Sequence, residues 1–391
     1  MEAGFSIDFP YFSAPIFFGY EEYSAVKHNN FLKLGRWSPD GLCFLTSSDD
    51  NILRLFELPQ SFSGEQPVEM RSVLVMNEAE TIYDFCWYPG MSSTDSATCK
   101  FVASNRDHPV HLWDAFTGKI IGSYVGRNEM DEVIAAISTS FNLRGDKLYC
   151  GYNNSIKVFD TEIGGNTGIN LAARGRDKKK QRGMMSTISF ANNSHLFAVG
   201  CYSNRVILYS EQAPNEIAMD FDTSSSGNGV TQYLFAGSRR SHEILGWDLR
   251  YTESPLYRLP RKVTTSQRYT FDIVCDTERC LLITPSEGEI LVYDLTHDGS
   301  LLTSNPSGSI NGCAYHPHSP YLATTHGERR DPQVIAVIDS DDDSLEVAAT
   351  WSIIALSVVV MTLTENVPLD GAYPPVPITD IHLNGCSKQE Y

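Results

Sequence analysis

Residues 81–124 contain four short apolar runs, and this pattern constrains the fold more than any other part of the chain: TIYDFCWYPGMSSTDSATCKFVASNRDHPVHLWDAFTGKIIGSY. Each run has the length of a β-strand and is rich in β-branched and aromatic residues. The third run ends in Trp113 followed by Asp114, a dipeptide that often ends the third strand of a propeller blade. Four antiparallel strands in about 45 residues predict one blade of a WD40-type β-propeller.

Third strands of the same kind recur along the chain. One blade cannot bury both of its faces alone, so copies in phase are much stronger evidence than a single aromatic-Asp pair. The predicted third strands end at Phe56, Trp113, Phe159, Tyr209, Trp247, Tyr293 and Ile338, at intervals of 57, 46, 50, 38, 46 and 45 residues. They predict an all-β fold, a seven-bladed WD40 β-propeller. Where an aspartate follows the aromatic residue, we expect it to accept hydrogen bonds from backbone amides in a turn.

Blade five interrupts the repeat. Its interval of 38 residues is the shortest, and residues 222–229, DTSSSGNG, have the composition of a loop. The apolar run ending in Pro-Asp-Gly or His-Pro, which marks the inner strand in other blades, is missing there. We therefore expect blade five to be incomplete: either residues 230–236 serve poorly as two strands, or the blade has three strands.

The same pattern divides the chain into a propeller at residues 31–345, an N-terminal extension at 1–30 and an irregular C-terminal tail at 346–391. The two ends of a closed propeller usually share one blade, so part of residues 5–18 is expected to add an outer strand to the last blade. Residues 347–364 carry no charge and are just long enough to reach the length of a membrane span. They lack a basic flank, so we interpret them as a propeller strand or tail.

Composition narrows the functional classes. A net charge of −18, from 30 Lys and Arg against 48 Asp and Glu, argues against a general nucleic-acid binder but allows a local basic face. Nine cysteines lie mostly inside strand-like runs, for example at Cys43, Cys86, Cys150, Cys201 and Cys313, which predicts reduced, buried thiols in an intracellular protein. Neither CxxC pairs nor histidines at metal-ligand spacing occur, and GxSxG, HExxH and P-loop motifs are absent. We predict no metal, no cofactor and no enzymatic activity.

Strand direction predicts which loops share a rim of the propeller. Loops between second and third strands, and connections from a fourth strand to the next blade, lie on one rim. This rim receives Arg106, Arg205, Arg239, Arg240, Arg329, Arg330, Lys262, Arg268 and the run RGRDKKKQR at 174–182. The opposite rim receives Asp40, Asp95, Asp114, Asp146, Asp160 and Asp294. An acidic protein with one basic rim is the resulting hypothesis.

A basic rim suits single-stranded RNA, because arginine forms forks with phosphates and stacks on splayed bases. The residues predicted to contact RNA are Arg106, Lys178, Lys179, Lys180, Arg182, Arg205, Arg239, Arg240 and Arg268. Tyr152 and Tyr202 are candidate stacking platforms. Each residue also has a structural alternative: the arginines pair with neighbouring aspartates, residues 174–182 form a nuclear import signal or a solvated loop, and the tyrosines pack in the core or rim.

Several longer motifs resemble one family. They are NFLKLGRWSPDG at 30–41, DNILRLFELP at 50–59, TIYDFCWY at 81–88, HLWDAFTG at 111–118, ILGWDLR at 244–250 and VTTSQRYTFD at 263–272. Together they resemble the telomerase Cajal body protein family, over about residues 30–325. The short blade five and the tail after about residue 330 depart from that family.

The resemblance implies a nuclear protein of Cajal bodies that binds the CAB-box loop of box H/ACA small Cajal-body RNAs. Telomerase RNA is a further expected client, and dyskerin-type particle proteins are expected neighbours. It implies a monomer within a larger particle, with no DNA and no membrane as partner. The alternative is a WD40 scaffold that binds proteins only, which the charge of −18 and the many functions of the fold support.

Overall fold

The computed structural model describes residues 17–19, 23, 30–59, 68–171, 183–191, 195–202, 205–220, 233–238, 241–264, 268–275, 279–296, 298–306, 310–319, 321–327 and 359–362. Its named elements are all β-strands. Within these residues, no helix has the length and apolar character needed to cross a membrane.

The strands are grouped in sheets that follow the order of the chain, with one exception in blade five. In chain order they are β1 (Phe17–Phe18), β2 (Leu32–Trp37), β3 (Cys43–Ser48), β4 (Ile52–Glu57), β5 (Val68–Glu69), β6 (Leu74–Asn77), β7 (Ile82–Trp87), β8 (Lys100–Asn105), β9 (Val110–Asp114), β10 (Lys119–Tyr124), β11 (Ser138–Phe141), β12 (Lys147–Gly151), β13 (Ile156–Asp160), β14 (Ile169–Leu171), β15 (Met185–Phe190), β16 (Leu196–Cys201), β17 (Arg205–Ser210), β18 (Ala213–Asp220), β19 (Tyr233–Gly237), β20 (Glu243–Asp248), β21 (Tyr257–Pro260), β22 (Asp272–Cys275), β23 (Cys280–Ser286), β24 (Glu289–Asp294), β25 (Ser300–Pro306), β26 (Ile310–Tyr315), β27 (Leu322–His326) and β28 (Val359–Thr362).

Seven sheets follow one another around a ring. Blades one to six are four-stranded: β2-β3-β4-β6, β7 to β10, β11 to β14, β15 to β18, β28-β19-β20-β21 and β22 to β25. The seventh has two described strands, β26 and β27. Inner strands of successive blades lie side by side from β7 through β11, β15, β28, β22 and β26 to β2. Between blades one and two, Arg36 of β2 donates to the carboxylate of Asp84 in β7 at 3.1 Å. The all-β propeller predicted from the sequence is confirmed, and six of the seven predicted third strands are β4, β9, β13, β17, β20 and β24. The seventh, ending at Ile338, lies outside the described residues.

Blade five is complete because the C-terminal tail supplies its inner strand. β28 (Val359–Thr362) pairs antiparallel with β19, with Met361 opposite Leu234, and lies between the inner strands of blades four and six. The expectation of an incomplete blade is therefore wrong, and the tail is not wholly irregular. Without β28, the inner edge of β19 would present unpaired backbone groups to the channel, which a closed ring avoids.

The described strand of the N-terminal extension pairs with blade one, whereas the sequence predicted pairing with the last blade. Phe17–Phe18 pairs in parallel with Val68–Glu69, between the third and fourth strands of blade one, rather than with the last blade. The connection after β4 offers a free strand edge there, which accounts for this choice. Residues 5–16 of the predicted closing strand lie outside the described residues.

The aspartates that follow the third strands accept hydrogen bonds from backbone amides, as predicted. The carboxylate of Asp114 accepts hydrogen bonds from the backbone N–H of Phe116 at 2.8 Å and of Thr117 at 3.3 Å. Asp160, Asp248 and Asp294 accept the N–H of the residue two positions later in the same way. These bonds fix the turns that follow the third strands.

The cysteine prediction is confirmed for most thiols and wrong for one pair. Cys275 and Cys280 form a disulfide between β22 and β23. They are directly opposite each other in the antiparallel register, with their Cα atoms 4.1 Å apart, so the hairpin itself brings the sulfurs together. The described cysteines outside this disulfide keep their thiols: Cys43, Cys86, Cys99, Cys150, Cys201 and Cys313.

Blades one and seven are joined by side chains that reach across the closure. The Trp37 indole donates from Nε1 to the carbonyl oxygen of Ala314 at 3.0 Å. His316 donates from Nε2 to the carbonyl oxygen of Gly41 at 2.8 Å. Gly41 has a φ of +74°, and a Cβ there would lie 2.4 Å from the imidazole ring, so only glycine fits this turn.

Two inner-strand aspartates, one in blade two and one in blade six, each accept a hydrogen bond from the next blade. Asp84 accepts the backbone N–H of Thr139 at 2.9 Å, and Asp272 accepts that of Tyr315 at 2.7 Å. In both cases the donor belongs to the inner strand of the following blade. Burial raises the pKa of the Asp272 carboxyl to about 6, against the opposing effect of two backbone N–H groups.

Asp272 makes a pH-dependent contribution to the free energy of unfolding, and Asp272→Asn is expected to remove that pH dependence. The folded pKa lies above the unfolded value of 3.8, so the contribution is fully present below pH 3.8 and is lost as the pH rises through about 6. Asparagine keeps an oxygen for the Tyr315 N–H and cannot ionise. As the pH rises from 4 to 7.5, we expect the free energy of unfolding of the variant to increase by about 2–3 kcal/mol relative to that of wild type.

The measurement is urea denaturation of both proteins at pH 4 and pH 7.5. Comparing the two proteins cancels the titration of other groups, including His326, whose pKa burial lowers to about 3. A difference between variant and wild type that stays constant across this range would contradict the assignment.

Candidate nucleic-acid interface

The two rims can now be defined by their loops. Rim A carries the loops between second and third strands and the connections between blades; rim B carries the other loops. The structure places Arg106 in the β8–β9 loop, Arg205 at the start of β17 and Arg268 just before β22, all on rim A as predicted. The other predicted RNA contacts lie outside the described residues: Lys178, Lys179, Lys180, Arg182, Arg239 and Arg240.

The described part of rim A has mixed charge, and the basic rim stays a prediction for the cations that lie outside the described residues. Arg106 pairs with Asp107 at 3.2 Å, and Lys262 pairs with Glu287 at 2.6 Å. Arg127 lies 3.6 Å from the carboxylate of Asp131 on the same rim. The predicted cations are present, but carboxylates in the same or adjacent loops neutralise them. This is the structural alternative that the sequence left open for each arginine.

Three rim A residues lie where blades two and four approach each other, and we call Tyr83, Arg106 and Tyr202 the Tyr83 cluster. The backbone N–H of Arg106 donates to the carbonyl oxygen of Thr81 at 2.9 Å, and that of Tyr202 donates to the carbonyl oxygen of Met184 at 3.0 Å.

One guanidinium, that of Arg268, contacts the carbonyl oxygens of both Tyr83 and Ser186. Burial raises the pKa of the Tyr83 phenol, and the charge of Arg106 opposes that rise, while the phenol of Tyr202 also acts on it. Tyr83 is the second residue of the inner strand of blade two, and Tyr202 follows the second strand of blade four, so two blades contribute to the cluster.

The Tyr83 cluster is accessible to a ligand. The Arg106 side chain is 61% exposed and Tyr202 is 38% exposed. Tyr83 is half-buried. A planar guanidinium and two phenol rings on one rim are the groups on which unstacked bases pack.

Below this cluster, Asp84 binds two arginines from other blades. Its carboxylate, 3% exposed, lies 3.1 Å from Nη2 of Arg36 and 3.6 Å from Nη1 of Arg268. We call Arg36, Asp84 and Arg268 the channel hub. One carboxylate faces two guanidinium groups, so the hub carries a net positive charge at the centre of the ring.

Arg268 connects the hub to the Tyr83 cluster. Its Nη1 donates to the carbonyl oxygen of Tyr83 at 2.7 Å, and its Nη2 lies 3.4 Å from the carbonyl oxygen of Ser186. The guanidinium is therefore held by blades two and four, and the side chain is only 15% exposed. This geometry makes Arg268 a residue that positions Tyr83.

The two predicted stacking platforms differ in burial. Tyr152 is 1% exposed and packs in the core with Tyr124 and Phe159, so it cannot meet a base. Tyr202 is exposed as a platform requires. Tyr83 was not identified from the sequence, although its place directly before the inner-strand Asp84 was a usable signal.

The described residues contain no cluster of potential metal ligands. Within the ranges that the structure describes, no three His, Cys, Asp or Glu side chains lie close enough together to hold an ion.

Comparison with known proteins finds a WD40 repeat and relatives that share one name. A model for "WD domain, G-beta repeat" matches residues 27–57. The chain is 36% identical over 338 residues to "Telomerase Cajal body protein 1" of Bos taurus, covering 81% of this chain and 61% of that protein. It is 37% identical over 328 residues to the Homo sapiens protein of that name, covering 79% and 59%.

A more distant relative has a similar name. The chain is 31% identical over 326 residues to "Telomerase Cajal body protein 1 homolog" of Drosophila melanogaster, with coverage of 78% of this chain and 58% of that protein. The chain thus spans about three fifths of the length of these relatives.

Proposed function

This WD40 propeller is homologous to the telomerase Cajal body proteins, and from that premise we propose that it is an RNA-binding component of box H/ACA small Cajal-body ribonucleoproteins. In this proposal it recognises the CAB-box loop and directs the RNAs to Cajal bodies in the nucleus. Telomerase RNA is one candidate client, and dyskerin-type proteins are the neighbours in the particle. The protein acts by binding, without a catalytic step.

The Tyr83 cluster is the observation that carries this proposal. RNA loops are recognised through splayed bases that stack on aromatic rings and on arginine. Tyr83, Tyr202 and Arg106 offer such surfaces at one point of rim A, above a channel hub of net positive charge. Stacking contributes about 1–3 kcal/mol per base without requiring a strongly basic face. Such a site therefore suits a protein whose rim cations are mostly paired.

A second candidate function rests on the mixed charge of rim A. A scaffold that binds proteins only needs no free cations, and the pairing of Arg106 and Lys262 with carboxylates fits that function. Crosslinking in cells separates the two. Recovery of box H/ACA RNAs supports the first function, and recovery of proteins alone, insensitive to ribonuclease, supports the second.

Tyr202→Ala is expected to weaken binding of a single-stranded CAB-box RNA oligonucleotide by about 5- to 100-fold, which corresponds to the loss of one stacking contact. Fluorescence anisotropy at several salt concentrations measures it. Because a tyrosine neutralises no phosphate, the slope of log K against log salt should stay at the wild-type value. Arg106→Ala should instead reduce that slope by about 0.7.

Tyr251→Ala is the matched control. Tyr251 lies in a loop of rim B and is 75% exposed, so it offers a tyrosine on the opposite side of the ring. Equal losses in the rim A and rim B variants would rule out the Tyr83 cluster as the binding site.

A further inference from the structure

A buried arginine without an anion lies at the junction of blades five and six. Arg261 follows β21 on rim A and is 5% exposed. Its Nη2 lies 3.4 Å from the carbonyl oxygen of Ser238. Nε and Nη1 are buried and have no hydrogen-bond partner among the described residues. In the same residues no carboxylate forms an ion pair with it, and its guanidinium carbon lies 6.0 Å from the centre of the Tyr269 ring.

Such a group is costly to keep in a folded protein. A buried cation that lacks both a counter-ion and full hydrogen bonding destabilises the fold. The effect is visible in Arg261 itself, since burial lowers its pKa to about 10. An anion that bound here would recover both the charge and the unused N–H groups.

The guanidinium lies directly below the rim surface. Ser238, whose carbonyl oxygen it approaches, is exposed. A Cβ at Gly237 would lie 2.8 Å from Nη2, so the absence of a side chain there lets the guanidinium reach this position. The strand end at Gly237 and the connection at Arg261 therefore place a buried cation next to solvent.

Two exposed residues adjoin Arg261 along the backbone: Lys262 follows it in the chain, and the carbonyl oxygen of His242 accepts its backbone N–H at 2.8 Å. The exposed His242 accepts the backbone N–H of Val263 at Nδ1 over 3.3 Å, which leaves the proton on Nε2 and makes Nε2 a donor. Lys262, 68% exposed, contributes an ammonium group that pairs with Glu287. We call Arg261, Ser238, His242 and Lys262 the Arg261 site.

We propose that the Arg261 site binds a phosphate group, and that in the ribonucleoprotein this group is a backbone phosphate of the RNA. The identification of RNA rests on the proposed function; the phosphate chemistry does not. The site lies on the same rim as the Tyr83 cluster but in other blades. It gives the RNA strand a phosphate contact separate from its stacking contact.

Arg261→Met tests this proposal, with Arg258→Met as the matched control. Arg258 is on the adjoining strand β21 and pairs with Glu243 at 3.1 Å, so the control removes the same charge from a paired arginine. In the first experiment, inorganic phosphate replaces chloride at constant ionic strength while the melting temperature is recorded. Because phosphate also stabilises folded proteins in general, it should raise the melting temperature of wild type and Arg258→Met by more than that of Arg261→Met.

RNA binding is the second measurement. Arg261→Met should bind the CAB-box oligonucleotide about 5- to 20-fold more weakly, with the salt slope reduced by about 0.7, and Arg258→Met should match wild type. Without phosphate, Arg261→Met should melt no lower than wild type, because it removes an unpaired charge. Loss of affinity thus occurs in a protein that is fully folded.

The possible failures are distinguishable. If phosphate raises the melting temperature of wild type no more than that of Arg261→Met, the phosphate site is overturned. If phosphate stabilises wild type more than Arg261→Met but wild type binds no RNA, the proposed function fails and the phosphate site stands. If Arg261→Met binds RNA with wild-type affinity and salt slope, the assignment to an RNA phosphate is overturned.

Discussion

Replacing Glu78 with alanine is expected to lower the free energy of unfolding by about 3–5 kcal/mol. The Glu78 carboxylate is buried on the connection from blade one to blade two. It accepts hydrogen bonds from Asn105 Nδ2 at 2.6 Å, His111 Nδ1 at 2.8 Å and Trp113 Nε1 at 2.7 Å. Alanine would leave the buried Asn105 and Trp113 donors and the half-buried His111 donor without this acceptor, and each buried group of this kind costs about 1–3 kcal/mol.

Urea denaturation measures the Glu78 effect. Glu80→Ala is the control, because Glu80 is exposed two residues away on the same connection. A surface substitution of this kind changes stability by less than about 0.5 kcal/mol. A Glu78 variant as stable as the Glu80 control would show that the buried hydrogen bonds contribute nothing to blade two.

The fold was predictable because its signals are local and repeated. Third strands ending at Trp113, Phe159 and Tyr209 carry their alternation and turns within a few residues, and the structure confirms them. The inner strand of blade five was not predictable by the same means. Val359–Thr362 lies more than a hundred residues from β19 along the chain, and no local pattern states that distant segments pair.

The candidate site was predictable in its placement and not in its charge. Strand direction correctly put Arg106, Arg205 and Arg268 on rim A. It could not show that Asp107 pairs with Arg106, or that Arg268 reaches blades two and four, because side-chain partners depend on distances between blades. Tyr152 follows the packing alternative that the sequence left open: its loop is at the rim, but its ring packs in the core.

Asp84→Ala is expected to have an effect as large as that of Glu78→Ala, about 3–5 kcal/mol, through a different mechanism. The substitution removes the acceptor for the Thr139 N–H and the counter-ion of Arg36 and Arg268 at once. Two guanidinium groups would then face each other in the channel without a carboxylate between them. Mutual repulsion adds to the loss of hydrogen bonds.

A double-mutant cycle separates these contributions. If charge dominates, Asp84→Ala in an Arg268→Met background should cost about 1–3 kcal/mol less than in wild type, because one of the two cations is already gone. Asp84→Asn should retain the bond to Thr139 and lose only the charge. Additive costs in the cycle would mean that Asp84 is not coupled to Arg268 and acts through Arg36 and the Thr139 bond. The channel hub would then be two independent contacts, and Arg268 would position Tyr83 without help from Asp84.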